Sequence, residues 1–439
     1  MLVITIMDSS LTIFCTPRSG RIINISNTEL YLIYSIIFII SNIVLLNIVN
    51  NLKSNLKNKY FYFIVLIIQS LLSITLLTIY GQMILYSNYY NLFIFVIVYT
   101  SFLSSIGFLS ILTVKLVRWF KLTPNYSILL YGIAISIFIL NTIIGLVYVT
   151  QVLLTHTDII KPALCRALFG SLFHINPGLS IYLSNLYDIT SIISFIALWF
   201  VTIFMLKQYS HSIGKTKYWI LVSVPLIAFM TKYEIILYYI FYDPSILEIF
   251  SSIRSNSIVD QIVSTFLNSN LQIGGIFFAI AFLVVAKKIP KGHRIVNSLI
   301  ISLIGMMFLF GSKNVSALII PAYPPVGIVA ISFMGLASYL LLVGIYSSAT
   351  IAARDITLRK YLNKKIENDT TLLNNIAYAE NENEIQKNVK FLMNHSSQWQ
   401  QNNNIQLEMN QQEIKEIVDG VISEVKENII KNNGKMRKK

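Results

Sequence analysis

Nine long apolar runs, separated by short polar connections, constrain this 439-residue chain more than any other feature. A helix needs about 20 mostly apolar residues to cross the hydrocarbon core of a bilayer. Composition agrees, because 55% of the residues are hydrophobic and only 12% are charged, against about 25% charged in soluble domains. The sequence therefore predicts an all-α integral membrane protein with about nine transmembrane helices. The runs cover residues 30–50, 61–85, 92–115, 127–154, 179–206, 218–242, 267–286, 295–312 and 325–350.

The positions of the basic residues predict the orientation of these spans. Thirteen Lys and Arg residues lie in or beside the connections after the first, third, fifth and seventh runs, and six lie in the N-terminal segment and the alternate connections. Because Lys and Arg accumulate in short cytoplasmic loops, the N-terminus is predicted outside and the C-terminus in the cytoplasm. The net charge of +14 is then explained by topology. Membrane lipid is the partner this pattern indicates, and no nucleic-acid partner is predicted.

Residues 1–29 are predicted to form an exterior segment. Their apolar stretch has no basic residues before it and is interrupted by Asp8, which is not typical of a signal peptide. The two cysteines, Cys15 and Cys165, both fall on the exterior side of the predicted topology. An exterior compartment can keep a disulfide, so a Cys15–Cys165 bridge and two unpaired thiols are the two alternatives.

Two exterior connections are too long to be simple turns. Apolar residues at helical spacing near 161–177 and 243–264 predict short interfacial helices. Pro162 precedes the first and Gly178 follows it, as helix start and stop residues often do. Such helices either form a lid over a site or serve as packing elements, and the sequence leaves both alternatives open.

The composition changes after Ala353, and residues 354–439 are predicted to form a cytoplasmic helical tail. Its clearest helix has an apolar stripe opposite a face of mixed charge, and a weaker helix is predicted around Ile385, Val389 and Leu392. An apolar stripe on a short helix needs a partner to bury it. That partner is the same helix in a second copy, the weaker tail helix or another cytoplasmic protein. The stripe consists of Ile414, Ile417, Val418, Val421, Ile422, Val425 and Ile429.

No catalytic signature is present in the sequence, and neither a cofactor nor a metal is predicted. The stretch His211-Ser-Ile-Gly-Lys-Thr resembles the end of a phosphate-binding loop, but Tyr209 stands where its first glycine is required. His156, Cys165 and His174 share one exterior connection, yet they lack metal-ligand spacing. An enzyme acting on lipid is therefore the least favoured function class.

Ionisable side chains inside the predicted spans are the strongest functional signal, because a charge in the bilayer core costs about 2.5–3.5 kcal/mol on insertion scales and usually pairs or faces a hydrated site. Lys232 and Glu234 are two residues apart, so they point to opposite sides of a helix. Asp188 lies about 14 Å and Lys232 about 15 Å from the exterior ends of their spans, which predicts that these two pair. The predicted intramembrane polar cluster is Asp188, Lys232, Glu234, Asn185 and Asn270.

This cluster has two interpretations. A buried Asp188–Lys232 bridge would fix the packing of two helices and move nothing. The same residues would otherwise form a site for a ligand, a proton or an ion. Glu234 favours the second interpretation, because an Asp188–Lys232 bridge does not explain why a second carboxylate is present.

The last apolar run begins with Tyr323-Pro-Pro-Val-Gly and continues through the small-residue stretch 332–349 to a charged helix. Over about forty residues this pattern resembles uncharacterised multi-spanning membrane proteins of ammonia-oxidising-type archaea. The resemblance implies an archaeal membrane protein and assigns no functional residues.

The sequence is consistent with two functions. The first is a sensor, signalling or partner-recruiting protein that acts through its cytoplasmic tail. The alternative is a secondary transporter in which Asp188, Lys232 and Glu234 form the substrate or proton site. Nine spans do not divide into two equal halves, and internal repeats are common in transporters, so the first function is favoured.

Overall fold

Helices account for all the regular secondary structure in the part of the chain that the structure describes. The structure is a computed structural model, and it confirms the all-α prediction for these residues. The described residues are 26–52, 59–86, 91–122, 124, 126–155, 177–207, 214–230, 270–289, 294–312, 327–354, 376–377 and 379–387.

Nine long helices within these ranges follow the nine predicted apolar runs in order. The described boundaries lie within a few residues of the predicted ones at most helix ends. α3 continues to Leu122 because Leu116 and Trp119 still pack inward. α6 is described to Met230, so its predicted end at residue 242 lies outside the described residues. The helices are α1 Ser26–Leu52, α2 Lys59–Tyr86, α3 Asn91–Leu122, α4 Tyr126–Thr155, α5 Pro177–Lys207, α6 Lys215–Met230, α7 Asn270–Lys288, α8 Arg294–Ser312 and α9 Ile328–Arg354.

Seven of these helices are long and apolar enough to cross a membrane, namely α1 to α5, α8 and α9. The described part of α6 has 16 residues. The apolar part of α7, Gly274–Lys287, is shorter than the apolar stretches of the other seven. The chain is therefore a helical, multi-pass membrane-embedded protein.

Two glycines begin helices in a conformation that other residues rarely adopt. Gly214 has φ 93° and Gly327 has φ 87°, values that glycine accepts at no steric cost because it lacks a Cβ. Their carbonyls accept the first helical hydrogen bonds, from the Tyr218 N–H at 3.0 Å and the Ile331 N–H at 3.2 Å. These two positions let the chain turn sharply into α6 and α9.

Six helices form a closed ring in which each contacts the next, in the order α3, α4, α5, α7, α8 and α9. The α1–α2 hairpin packs on the outside of this ring against α9 and α3, and α6 packs against α7 and α5. Consecutive helices joined by short connections run antiparallel, so connected ends lie on the same side of the bundle. We call the side that holds the connections 53–58, 123–125, 208–213 and 289–293 the basic end, because the described cations lie there.

The contact between α8 and α9 is the most extensive in the molecule, and two glycines make it close. A Cβ on Gly344 would lie 2.6 Å from the Ser302 nitrogen, and one on Gly305 would lie 2.6 Å from the Leu341 nitrogen. Small residues let helix backbones approach in this way within membranes. The Ser298 and Ser347 hydroxyls, 3.1 Å apart, add a hydrogen bond across the contact.

The contact between α3 and α9 combines a hydrogen bond with aromatic packing. The Ser105 and Ser338 hydroxyls are 2.6 Å apart and buried. Toward the basic end, the Trp119 and Tyr346 rings stack at 6.4 Å, and the Lys115 ammonium lies 4.4 Å from the Tyr346 ring centre. Together, the contacts with α8 and α3 bury α9 along nearly its whole length.

The chain divides into two compact units, Met1–Ala377 and Tyr378–Lys439, and the second holds the larger part of the predicted tail. Residues 379–387 are helical, which agrees with the predicted helix around Ile385. The Asn383 side-chain amide donates to the Glu380 carboxylate at 3.3 Å. The predicted tail helix around 414–429, the interfacial helices near 161–177 and 243–264, the N-terminal segment, Cys15 and Cys165 lie outside the described residues.

Candidate functional site

Asn141 joins α4 to α5 through hydrogen bonds and marks a group of polar side chains between these helices. Its side-chain amide donates to the Thr190 hydroxyl at 2.9 Å and to the Tyr187 carbonyl at 3.2 Å. Thr190 donates in turn to the Leu186 carbonyl at 2.8 Å. Asn141 is fully buried, and its side-chain oxygen has no hydrogen-bond partner among the described residues. One acceptor of the group therefore remains available.

Aromatic residues extend this group toward the end of the bundle opposite the basic end. The Tyr148 and Tyr187 rings stack at 6.0 Å across the same two helices. Gly145 makes room for them, since a Cβ there would lie 3.1 Å from the Tyr187 ring. On the α3 side, the Thr150 and Tyr99 hydroxyls are 3.0 Å apart. From Asn141 to the end opposite the basic end, the contacts of α4 with α3 and α5 thus include hydroxyl, amide and carbonyl groups as well as apolar side chains.

Asp188 adjoins this group on α5 and is half-buried. We define the α4–α5 polar cluster as Asn141, Tyr187, Asp188, Thr190 and Ser191, of which Ser191 is 2% exposed. Asp188 and Glu29 are the only carboxylates in the described parts of α1 to α9, and Glu29 lies in the first turn of α1. The cluster therefore holds the one acidic group found in the interior of the described helices.

Four phenylalanines form a layer of packed rings in the middle of the bundle, which we call the Phe layer. Phe195 packs on Phe278 at 5.2 Å, Phe278 on Phe310 at 5.2 Å, and Phe310 on Phe138 at 5.5 Å, which joins α5, α7, α8 and α4. Offset and edge-to-face contacts at such distances are favourable for aromatic rings. Gly274 and Gly275 admit the layer, because a Cβ on either would overlap the Phe195 or Phe310 ring.

The depth of the Phe layer and of the α4–α5 polar cluster can be counted along the helices. Counted from the basic end, Phe138 and Phe195 each lie twelve residues in, or about 18 Å. Asn141 lies fifteen and Asp188 nineteen residues in, or about 22 and 28 Å. Phe278 lies ten and Phe310 sixteen residues in, so the Phe layer overlaps Asn141 in depth, and Asp188 lies beyond it toward the opposite end of the bundle.

The residues of the predicted intramembrane cluster fall into three classes. Asp188 is half-buried beside the α4–α5 contact, whereas Asn185 is exposed on α5. Asn270 is the first residue of α7 and lies eighteen residues from its basic end, about 27 Å, close to the depth of Asp188. Lys232 and Glu234 lie outside the described residues, so the Asp188–Lys232 pairing stays a prediction.

The sequence analysis did not identify Asn141, Tyr187 or Thr190. Asn141 carried a usable signal, since it is an amide in the middle of an otherwise apolar run, where its hydrogen-bonding groups require partners. Tyr187 and Thr190 carried none, because tyrosine and threonine are common in membrane helices as packing residues. Their grouping depends on which faces of α4 and α5 meet.

The α4–α5 polar cluster suits non-covalent binding or proton exchange. Its groups are amides, hydroxyls, a carbonyl and one carboxylate, and among the described residues no group of three or more His, Cys, Asp or Glu side chains could hold a metal ion. Asp188 supplies the single carboxylate of the cluster. Nothing in this set constitutes a nucleophile with an adjacent base.

No match was found when the chain was compared with protein-family models, with curated proteins and with solved structures. The resemblance to archaeal membrane proteins stays a prediction from the residues around Tyr323. The function must accordingly be argued from the architecture of the chain itself.

Proposed function

We propose that this protein is a sensor with nine spans that receives its stimulus at the α4–α5 polar cluster and signals, or recruits a partner, through its cytoplasmic tail. The observation that carries the proposal is the position of α9. This helix contacts α8, α3, α1 and α2, and every residue of its most apolar stretch is buried. A rearrangement of the helices around α9 must therefore change contacts of α9 itself, which leads directly into the tail.

The same proposal includes the topology with the N-terminus outside and the C-terminus in the cytoplasm. All described cations of α1 to α9 whose side chains are placed lie within eight residues of the basic end. Among the described residues of α1 to α9, no carboxylate lies at the basic end. An excess of cations of this kind is expected at a cytoplasmic face. In this topology the α4–α5 polar cluster extends from the middle of the bundle toward the exterior. The cations are Lys115, Arg118, Lys121, Lys207, Lys215, Lys217, Lys287 and Arg294.

Coupling between the cluster and α9 has a physical route in this arrangement. α4 contacts α3, and α3 is joined to α9 by the Ser105–Ser338 hydrogen bond and the Trp119–Tyr346 stack. Ligand binding that favours one packing of α4 on α5 would shift α3 and, through it, α9. Packed helix interfaces rearrange between discrete states more readily than they deform continuously.

The output half of the proposal is tested by crosslinking the full-length protein in native membranes with an amine-reactive reagent. Lys415 and Lys426 flank the apolar stripe of the tail helix on its charged side. We expect crosslinks from them to the same helix of a second copy or to one specific cytoplasmic protein. Ile417→Asp should abolish these crosslinks, because it places a charge in the apolar stripe, whereas Glu416→Gln on the charged face should preserve them. Crosslinks confined to the chain's own loops would refute the output half.

A secondary transporter is the second candidate, and the position of Asp188 in the middle of α5 favours it. A single carboxylate beside amides and hydroxyls inside a helical bundle is the arrangement of many proton relays. Purified protein in proteoliposomes would then show proton-coupled flux that Asp188→Asn removes and that Asn185→Leu, an exposed neighbour on α5, leaves intact. Flux that survives Asp188→Asn would argue against this candidate.

A further inference from the structure

Two buried carboxamides on α1 and α2 lie outside the site described above. Asn42 is 4% exposed and Gln69 is 2% exposed. Neither the oxygen nor the nitrogen of either side chain has a hydrogen-bond partner among the described residues. Buried polar groups in proteins are nearly always paired, and an unpaired one costs about 1–3 kcal/mol. Two complete carboxamides without partners are therefore an exception that requires a physical account.

The register of the hairpin places the two side chains close together. The Tyr31 hydroxyl donates to the Leu76 carbonyl at 3.3 Å, which fixes α1 beside α2. Asn42 is eleven residues beyond Tyr31, and Gln69 is seven residues before Leu76, so along the antiparallel helices they are separated by four residues, about 6 Å. Side chains lean toward the N-terminus of their own helix. In this register the two carboxamides lean toward each other.

Both side chains also face α9. Asn42 is one helical turn from Phe38, whose ring packs on Phe333 of α9 at 4.6 Å. Gln69 is two turns from Tyr62, which lies near Tyr339 of α9. Residues four and seven apart share a helix face. The carboxamides therefore lie where α1, α2 and α9 meet, between these two pairs of aromatic residues.

The chemistry of this position defines what it can bind. Two carboxamides offer two carbonyl acceptors and two amino donors and carry no charge. The charged residues in the described parts of α1, α2 and α9 are Glu29, Lys59 and Arg354, each in a first or last helical turn. A ligand here must be uncharged, must both donate and accept hydrogen bonds, and must be small enough to fit between packed helices.

We propose that Asn42 and Gln69 form a binding site for a small uncharged molecule that donates and accepts hydrogen bonds, with water as its occupant in the membrane. A buried water makes about three hydrogen bonds to groups that would otherwise lack partners, which matches what the two carboxamides offer. The site joins the α1–α2 hairpin to α9 by polar contacts within an apolar interface. It is independent of the α4–α5 polar cluster, from which α9 and α3 separate it in the ring.

Hydroxyl-radical footprinting of the full-length protein in lipid nanodiscs tests this site, because radiolysis of a bound water labels the side chains beside it. Phe38 and Tyr339 are 0% and 2% exposed, and Phe195 and Phe278 of the Phe layer are 1% exposed. We expect labelling of Phe38 and Tyr339 and none of the two control rings. The double variant Asn42→Leu with Gln69→Leu should lose the labelling. If the double variant does not fold, Gln69→Leu alone is the test, and it should weaken the labelling.

Thr78→Val is the matched control on α2, because the Thr78 hydroxyl bonds only to the Ile74 carbonyl of its own helix; it should leave the labelling unchanged. A small uncharged solute, released on denaturation from the wild type and not from the double variant, would support the site with a different occupant. The proposal is overturned by labelling that persists in the double variant. It is equally overturned when Phe38 and Tyr339 are no more labelled than Phe195 and Phe278 and no solute is released.

Discussion

Helices α2 and α9 are equally apolar, yet a third of the residues in the most apolar stretch of α2 are buried, whereas all of those in α9 are. The difference lies in side-chain size. α9 carries Gly335, Ser338 and Gly344, against which neighbouring helices close to backbone distance. On α2, Gly81 has no atom within 4 Å of the position a Cβ would take. Because lipid tails are as apolar as leucine, hydrophobicity cannot choose which membrane helix is central, and close packing decides.

The largest expected effect comes from filling the α8–α9 contact. Gly344→Ala places a methyl group 2.6 Å from the Ser302 nitrogen and 2.7 Å from the Ser298 carbonyl oxygen, and the backbone cannot move aside cheaply. We expect the free energy of unfolding to fall by about 1–3 kcal/mol. Equilibrium unfolding in mixed micelles measures it.

Gly81→Ala is the control for this comparison. The added methyl group meets nothing, and replacing a mid-helix glycine removes backbone entropy from the unfolded chain, so stability should stay the same or rise by up to about 1 kcal/mol. Equal losses for the two variants would break the distinction between α9 and α2.

A smaller effect is expected where polar groups, not glycines, hold two helices together. Asn141→Leu removes the donors to the Thr190 hydroxyl and the Tyr187 carbonyl, and each lost bond is worth about 0.5–1.5 kcal/mol. Ser136→Ala is the control on the exposed side of α4, since its hydroxyl bonds only to the Gly132 carbonyl. Both are measured by the same unfolding assay, and a loss for Ser136→Ala as large as for Asn141→Leu would contradict the assignment.

The smallest effect is expected for the hydrogen bond between α3 and α9. A double-mutant cycle with Ser105→Ala and Ser338→Ala should give a coupling energy of about 0.6 kcal/mol, the average for such bonds in membrane helices. Pairing Ser338→Ala with Thr78→Val on α2 should give none, because the two hydroxyls share no partner and independent changes add. A coupling energy of zero between Ser105→Ala and Ser338→Ala would show that the small residues alone hold α9 in place.

Much of the candidate site could not be predicted from the sequence, for one physical reason. The depth of Asp188 follows from counting residues along an apolar run, and that count is available from sequence. Its neighbours depend on which face of α5 meets α4, and helices that are apolar all round carry almost no amphipathic signal to show it. Asn141 and Thr190 therefore meet through packing that periodicity does not encode.

The sequence by itself determined the helical class, the positions of the described helices within a few residues at most of their ends, and the concentration of cations at one set of helix ends. These properties depend on local apolar length and on charge, which are read directly along the chain. Only the tertiary structure decided that α9 is central, that Asn141 bonds across to α5, and that Asn42 and Gln69 are buried. Each of those outcomes depends on side-chain shape between helices distant in sequence, and shape acts only after the helices meet.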